Sequence, residues 1–151
     1  EFFSVSHHAH FVATLITLYR LYETRENTYN TPTLLRIMAK EPRVKKRELL
    51  DEANEMYEHI KPLWRKVSIL RNNAFGHRSN MYAVDEVFEK AGITPNELNN
   101  LITITENLLN KLGTSWSGKT YAFNRNCRND TIRVLSDLAS TGGLALTTAS
   151  S

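Results

Sequence analysis

At 151 residues, with 41% hydrophobic and 23% charged residues, the chain has the composition of one soluble globular domain large enough to bury its own core. The net charge of +3 permits contact with nucleic acid without demanding it. A single cysteine, Cys127, excludes an internal disulfide and fits a reducing cytosol. No apolar run reaches the length of a membrane span, and no cleavable signal pattern precedes the apolar stretch Phe11–Leu18, so a cytoplasmic chain with no membrane contact is expected. The opening Glu1-Phe2, without methionine, reads as the edge of a fragment or a cloning remnant.

In chain order, helical periodicity predicts an all-α bundle of five to six helices. From Ser4 to Glu23, one row of Val5, Ala9, Val12, Ile16 and Tyr19 and a second of Phe11, Leu15, Leu18 and Tyr22 give a wide apolar face, which predicts a central helix. Thr24–Tyr29 has no period and reads as a loop. Thr31-Pro32 predicts an N-cap with proline at the first helical position, opening a short helix to Lys40. Pro42 is expected to open a long helix, kinked at Pro62 and ended or bent at Gly76. A short helix carries Val84, Val87, Phe88 and Ala91 and stops at Gly92. Thr94-Pro95-Asn96-Glu97 is a capping box, and the helix that it opens is expected to end at Gly113. Residues 114–129 read as irregular, Asp130 caps a last helix from Thr131 to Ser140, and the organisation expected is a domain over 1–140 with a flexible tail over 141–151.

Chemistry concentrates in Ile69-Leu70-Arg71-Asn72-Asn73-Ala74-Phe75-Gly76-His77-Arg78, where a long helix meets a glycine. A fixed cation beside a group that exchanges protons near neutral pH suits phosphodiester cleavage without a metal. Arg71 follows Trp64 by seven and Val67 by four, at the edge of the apolar face. There it needs either a carboxylate such as Asp85 or Glu86, or an open cleft. On an unbroken helix Arg71 and His77 lie about 120° apart, so they meet on one phosphate only if the helix breaks or a second chain closes the gap.

The segment Lys61-Pro62-Leu63-Trp64-Arg65-Lys66-Val67-Ser68-Ile69-Leu70-Arg71-Asn72 through His77 resembles the signature of HEPN domains, and the charged helix before it, with Glu52, Glu55, Tyr57 and His59, looks most like their abortive-infection branch. HEPN domains are all-helical, and many are metal-independent RNases of toxin–antitoxin and abortive-infection systems. The resemblance implies RNA as partner, no cofactor, no metal, a homodimer with a composite site, and room for a cognate antitoxin. It assigns catalysis to Arg71, Asn72 and His77. Arg78, Asn73 and the basic cluster Arg43, Lys46 and Arg47 are the candidate RNA contacts. Where some HEPN toxins carry a tyrosine after the histidine, this chain has Ser79, and the next tyrosine is Tyr82. The alternative is a catalytically silent module of the same fold that binds RNA or a protein.

Other patterns carry less. Gly113-Thr114-Ser115-Trp116-Ser117-Gly118-Lys119-Thr120 matches the P-loop formula but lacks a preceding strand, and reads as a loop. His7, His8 and His10 lack partners for a metal, and His59 reads as a helix-surface residue. Cys127 lies between Arg125 and Arg128 without a histidine partner. Arg125, Arg128 and Arg133, interleaved with Tyr121 and Phe123, read as ordinary packing.

Overall fold

The computed structural model describes residues 2–76, 84–123 and 128–140. They form α1 (Phe2–Tyr22), α2 (Thr31–Lys40), α3 (Arg47–Leu70), a π-helical turn (Arg71–Gly76), α4 (Val84–Ala91), α5 (Pro95–Ser117) and α6 (Arg128–Ser140). The fold is all-α. The chain divides into two units, Glu1–Tyr121 and Ala122–Ser151, the second carrying α6.

The first unit is organised by α3 against α5. Ile60, Val67 and Leu70 from α3 meet Leu101, Leu108 and Leu112 from α5, all essentially removed from solvent. Each such side chain contributes roughly 1.5–3 kcal/mol by leaving water. Leu15, Leu18 and Tyr22 of α1, Leu35 and Met38 of α2, and Val87 and Ala91 of α4 complete the core. Of the two apolar rows on α1, the one through Leu15, Leu18 and Tyr22 is buried, while Val5 is 68% exposed. The helix is therefore central only in its second half. Tyr22 carries its hydroxyl inward, donating to Thr105 Oγ1 at 2.8 Å, and Thr105 donates to the Leu101 carbonyl at 2.6 Å.

Several boundaries differ from the sequence expectation, each for a local reason. The cap of α2 is Asn30: its Oδ1 accepts from the Thr33 amide at 2.8 Å, and its Nδ2 donates to the Arg25 carbonyl at 2.8 Å. Thr31 is the first helical residue instead. Pro42 does not open α3, which begins at Arg47. Between them Val44 dips into the core, and the amides of Lys45 and Lys46 donate to the Ser115 carbonyl at 2.9 and 3.3 Å. Those bonds hold the segment out of a helix. α3 runs through Pro62, which lies on its exposed face.

The capping box at Thr94 and Glu97 forms as expected, and Gly92, at φ 55°, closes α4. α5 passes through Gly113 and ends at Gly118, whose φ of 76° suits glycine. Gly113 serves a close approach rather than a stop. A Cβ there would lie 3.0 Å from Cε2 of Tyr121 and 3.2 Å from the Lys119 carbonyl. The P-loop match thus falls largely inside a helix, with buried Ser115 donating to the Lys46 carbonyl at 2.8 Å. No phosphate cradle is available there, and no loop over its first five residues either. α6 starts at Arg128, ahead of the expected cap at Asp130. The expected tail, 141–151, lies outside the described residues, as does Cys127.

Candidate active site

Arg71 stands where α3 changes pitch. Its amide is shared between the carbonyls of Val67 and Ser68, and from Arg71 to Gly76 the chain widens to i→i+5 pairing. The sequence places the disturbance at Gly76; it begins at Arg71 instead. Asn73 supplies a local cause. Its Nδ2 donates to the Ile69 carbonyl at 2.9 Å, the acceptor that the α-helical ladder would give to the Asn73 amide. The angular count for an unbroken α-helix therefore stops applying at Arg71.

The guanidinium of Arg71 is half-buried and held on two sides. It lies 4.5 Å over the ring of Tyr19 from α1, and its Nη1 donates to Asn72 Oδ1 at 3.0 Å. Asn72 in turn donates from Nδ2 to Ser68 Oγ at 3.3 Å, which orients its carbonyl oxygen toward the cation. Tyr19 is fixed from its other neighbour: Trp64 stacks on it at 6.1 Å and donates Nε1 to the Tyr19 carbonyl at 3.3 Å. Trp64 and Arg71 are two turns apart on α3, so one aromatic ring from α1 touches both. Such a cation–π contact is worth about 0.5–2 kcal/mol according to its exposure. Among the described residues, no carboxylate lies within ion-pair distance of Arg71. Of the two carboxylates that could have clasped it, Glu86 does not, and the Asp85 side chain lies outside the described residues.

His77 and Arg78 also lie outside the described residues. The structure brings together Arg71 and Asn72, turns the Asn73 amide to the Ile69 carbonyl, and adds Tyr19 and Trp64, to which sequence reading gave no part beyond packing. The seven-residue spacing from Trp64 to Arg71 was the available signal.

The basic cluster divides. Arg43 pairs with Glu41 (Nε to Oε1, 2.8 Å) and lies 5.6 Å over the ring of Trp116, and its guanidinium holds the Glu41 carboxyl below the usual range. Arg47 donates to the carbonyls of Ala39 and Glu41 at 2.9 and 2.7 Å. It thereby covers the C-terminus of α2, where a cation is favoured. The partners of Arg43 and Arg47 are therefore groups at the end of α2. Lys46 keeps an exposed side chain on the same loop. His59 sits on the outer face of α3, with Nδ1 2.8 Å from the Glu55 carbonyl. His7, His8 and His10 lie on the exposed first half of α1, and among the described residues no three His, Cys, Asp or Glu side chains gather around a metal position. Tyr121 and Phe123 are exposed.

With this geometry in place, the family comparison is decisive. The family model HEPN_AbiU2, described as AbiU2, matches residues 1–131. The chain belongs to the AbiU2 family of HEPN domains. It is thus a HEPN-type domain associated with abortive infection, and the match spans Arg71 through His77. No curated protein and no solved structure matches it significantly. No helix of this HEPN domain, among the described residues, is long and apolar enough to cross a membrane.

Proposed function

We propose that this HEPN domain is a metal-independent endoribonuclease that acts in abortive infection. The observation that carries the reading is Arg71. It is a half-buried cation in a member of this family, propped by Tyr19 and Asn72, with no carboxylate partner among the described residues. A guanidinium spared internal neutralisation has its charge available for an anion.

In the proposed reaction the ribose 2′-hydroxyl attacks the adjacent phosphorus, the bond to the 5′-oxygen breaks, and a 2′,3′-cyclic phosphate and a 5′-hydroxyl result. His77 takes the 2′-proton or delivers one to the leaving oxygen, so a homodimer supplies one imidazole for each task. Arg71 binds the non-bridging oxygens and opposes the charge that accumulates on them, an effect on the order of 3 kcal/mol for a well-placed donor. Asn72 acts as the positioning group for Arg71. Arg78, Asn73 and Lys46 extend the RNA path, whereas Arg43 and Arg47 reach a phosphate only in competition with Glu41 and the end of α2.

The test is cleavage of mixed RNA by wild type, Arg71→Ala and His77→Ala. Cleavage lost in both variants while they still melt as wild type supports the assignment. Activity that survives in either variant, cuts DNA readily or vanishes with chelator removes it. An RNA shift without products would favour the silent RNA-binding module.

A further inference from the structure

A groove between α2 and α5 shares no lining residue with the Arg71 site. Leu21, Leu34, Ile37 and Leu109 border one stretch of about 260 Å3. Leu34, Ile37 and Leu109 continue into a second, of about 420 Å3, closed by Leu112 and Trp116. Its walls are large and open to water, with Leu34 41%, Ile37 55% and Trp116 40% exposed. Contiguous apolar surface of this kind marks a contact site.

The rim is basic. Arg20 borders the end at Leu21 and Tyr29, and Arg43 lies over Trp116 at the other, where it shares Glu41. Along α2, Lys40 follows Ile37 by three residues, about 60° round the helix. Among the described residues Arg20 and Lys40 have no ion-pair partner. On the α5 side, Glu106, one turn before Leu109, is the opposing charge. A second copy would bring its own basic rim, Arg20 and Lys40, to the contact with Glu106 as the opposing charge, a poorer match than an acidic partner.

We infer that this groove receives an acidic amphipathic helix from another protein. Apolar side chains on one face of that helix fill the space over Leu34, Ile37 and Trp116, and its carboxylates meet Arg20 and Lys40. The inference stands apart from the nuclease reading. It is tested with the full chain and a labelled synthetic helical peptide carrying leucine at i, i+4 and i+7 and glutamate elsewhere, against the same peptide with lysine for glutamate. The acidic peptide binds, the lysine peptide binds at least about tenfold more weakly, and salt narrows the difference. Ile37→Glu and Lys40→Gln each weaken the acidic peptide, the first by about tenfold or more, with little change in melting temperature, since both side chains are exposed. Equal binding of the two peptides, binding of neither, or indifference to Ile37→Glu overturns the inference. So does sedimentation showing that Ile37→Glu abolishes self-association, which would give the groove to a second copy.

Discussion

At the scale of the residue, Tyr19 is the side chain whose part is least apparent in the sequence, because it occurs in a row of helix positions that reads as core. Its ring is the surface on which the Arg71 guanidinium lies, and Trp64 fixes that ring in turn. Removing the ring leaves the cation on a flexible four-bond stem, so we expect Tyr19→Leu to lower RNA cleavage at least about tenfold with a stability loss near 1 kcal/mol. Tyr19→Phe keeps the π-face and should retain most activity. Loss of cleavage in the phenylalanine variant would point to the hydroxyl and contradict the positioning role. Arg71 itself was legible as a chemical candidate from its neighbours and from the HEPN resemblance. The contact across to α1 was not, because spacing along one helix does not say which ring of another helix fills the gap.

Among the elements, the junction of α4 with α5 offers the clearest ledger of local forces. The Thr94 hydroxyl accepts from the Glu97 amide at 3.2 Å, and Glu97 returns a bond to the Thr94 amide at 2.9 Å. Lys66 of α3 reaches both Glu97, at 2.6 Å, and the Gly92 carbonyl, at 2.8 Å. Thr94→Ala should cost about 1 kcal/mol, read as a lower urea midpoint with unchanged slope. The Lys66 ammonium, followed by the Thr94 amide, holds the Glu97 carboxyl below its ordinary 4.5. A depressed folded pKa gives stability that is present above the ordinary value and lost as pH falls through the lowered one. Glu97→Gln should therefore flatten the acid limb of melting temperature against pH, and an unchanged limb would show that Glu97 is not the group responsible. This capping box was legible because all its parts lie within four residues. The start of α3 and the end of α5 were misplaced because the deciding bonds link residues far apart in sequence, Lys45 and Lys46 to Ser115. Likewise Gly113 reads as a stop until the Tyr121 ring packed against it is seen.

For the whole molecule, period and punctuation were enough to specify an all-α bundle, since α3 and α5 each carry long, regular apolar stripes that bury against one another. Membership of the AbiU2 family fits that architecture to abortive infection. The composite site proposed here requires two copies, so specific RNA cleavage should fall on dilution through the dimer's dissociation constant, and activity that stays proportional to a monomer would remove the dimer from the mechanism. The central claim is the transfer of the phosphoryl bond to the ribose 2′-oxygen under Arg71 and His77. Its most direct test is analysis of the ends made from RNA in excess chelator by wild type and by His77→Ala. The account predicts 2′,3′-cyclic phosphate and 5′-hydroxyl ends from wild type alone; 5′-phosphate ends, or the same cyclic ends from His77→Ala, would contradict it.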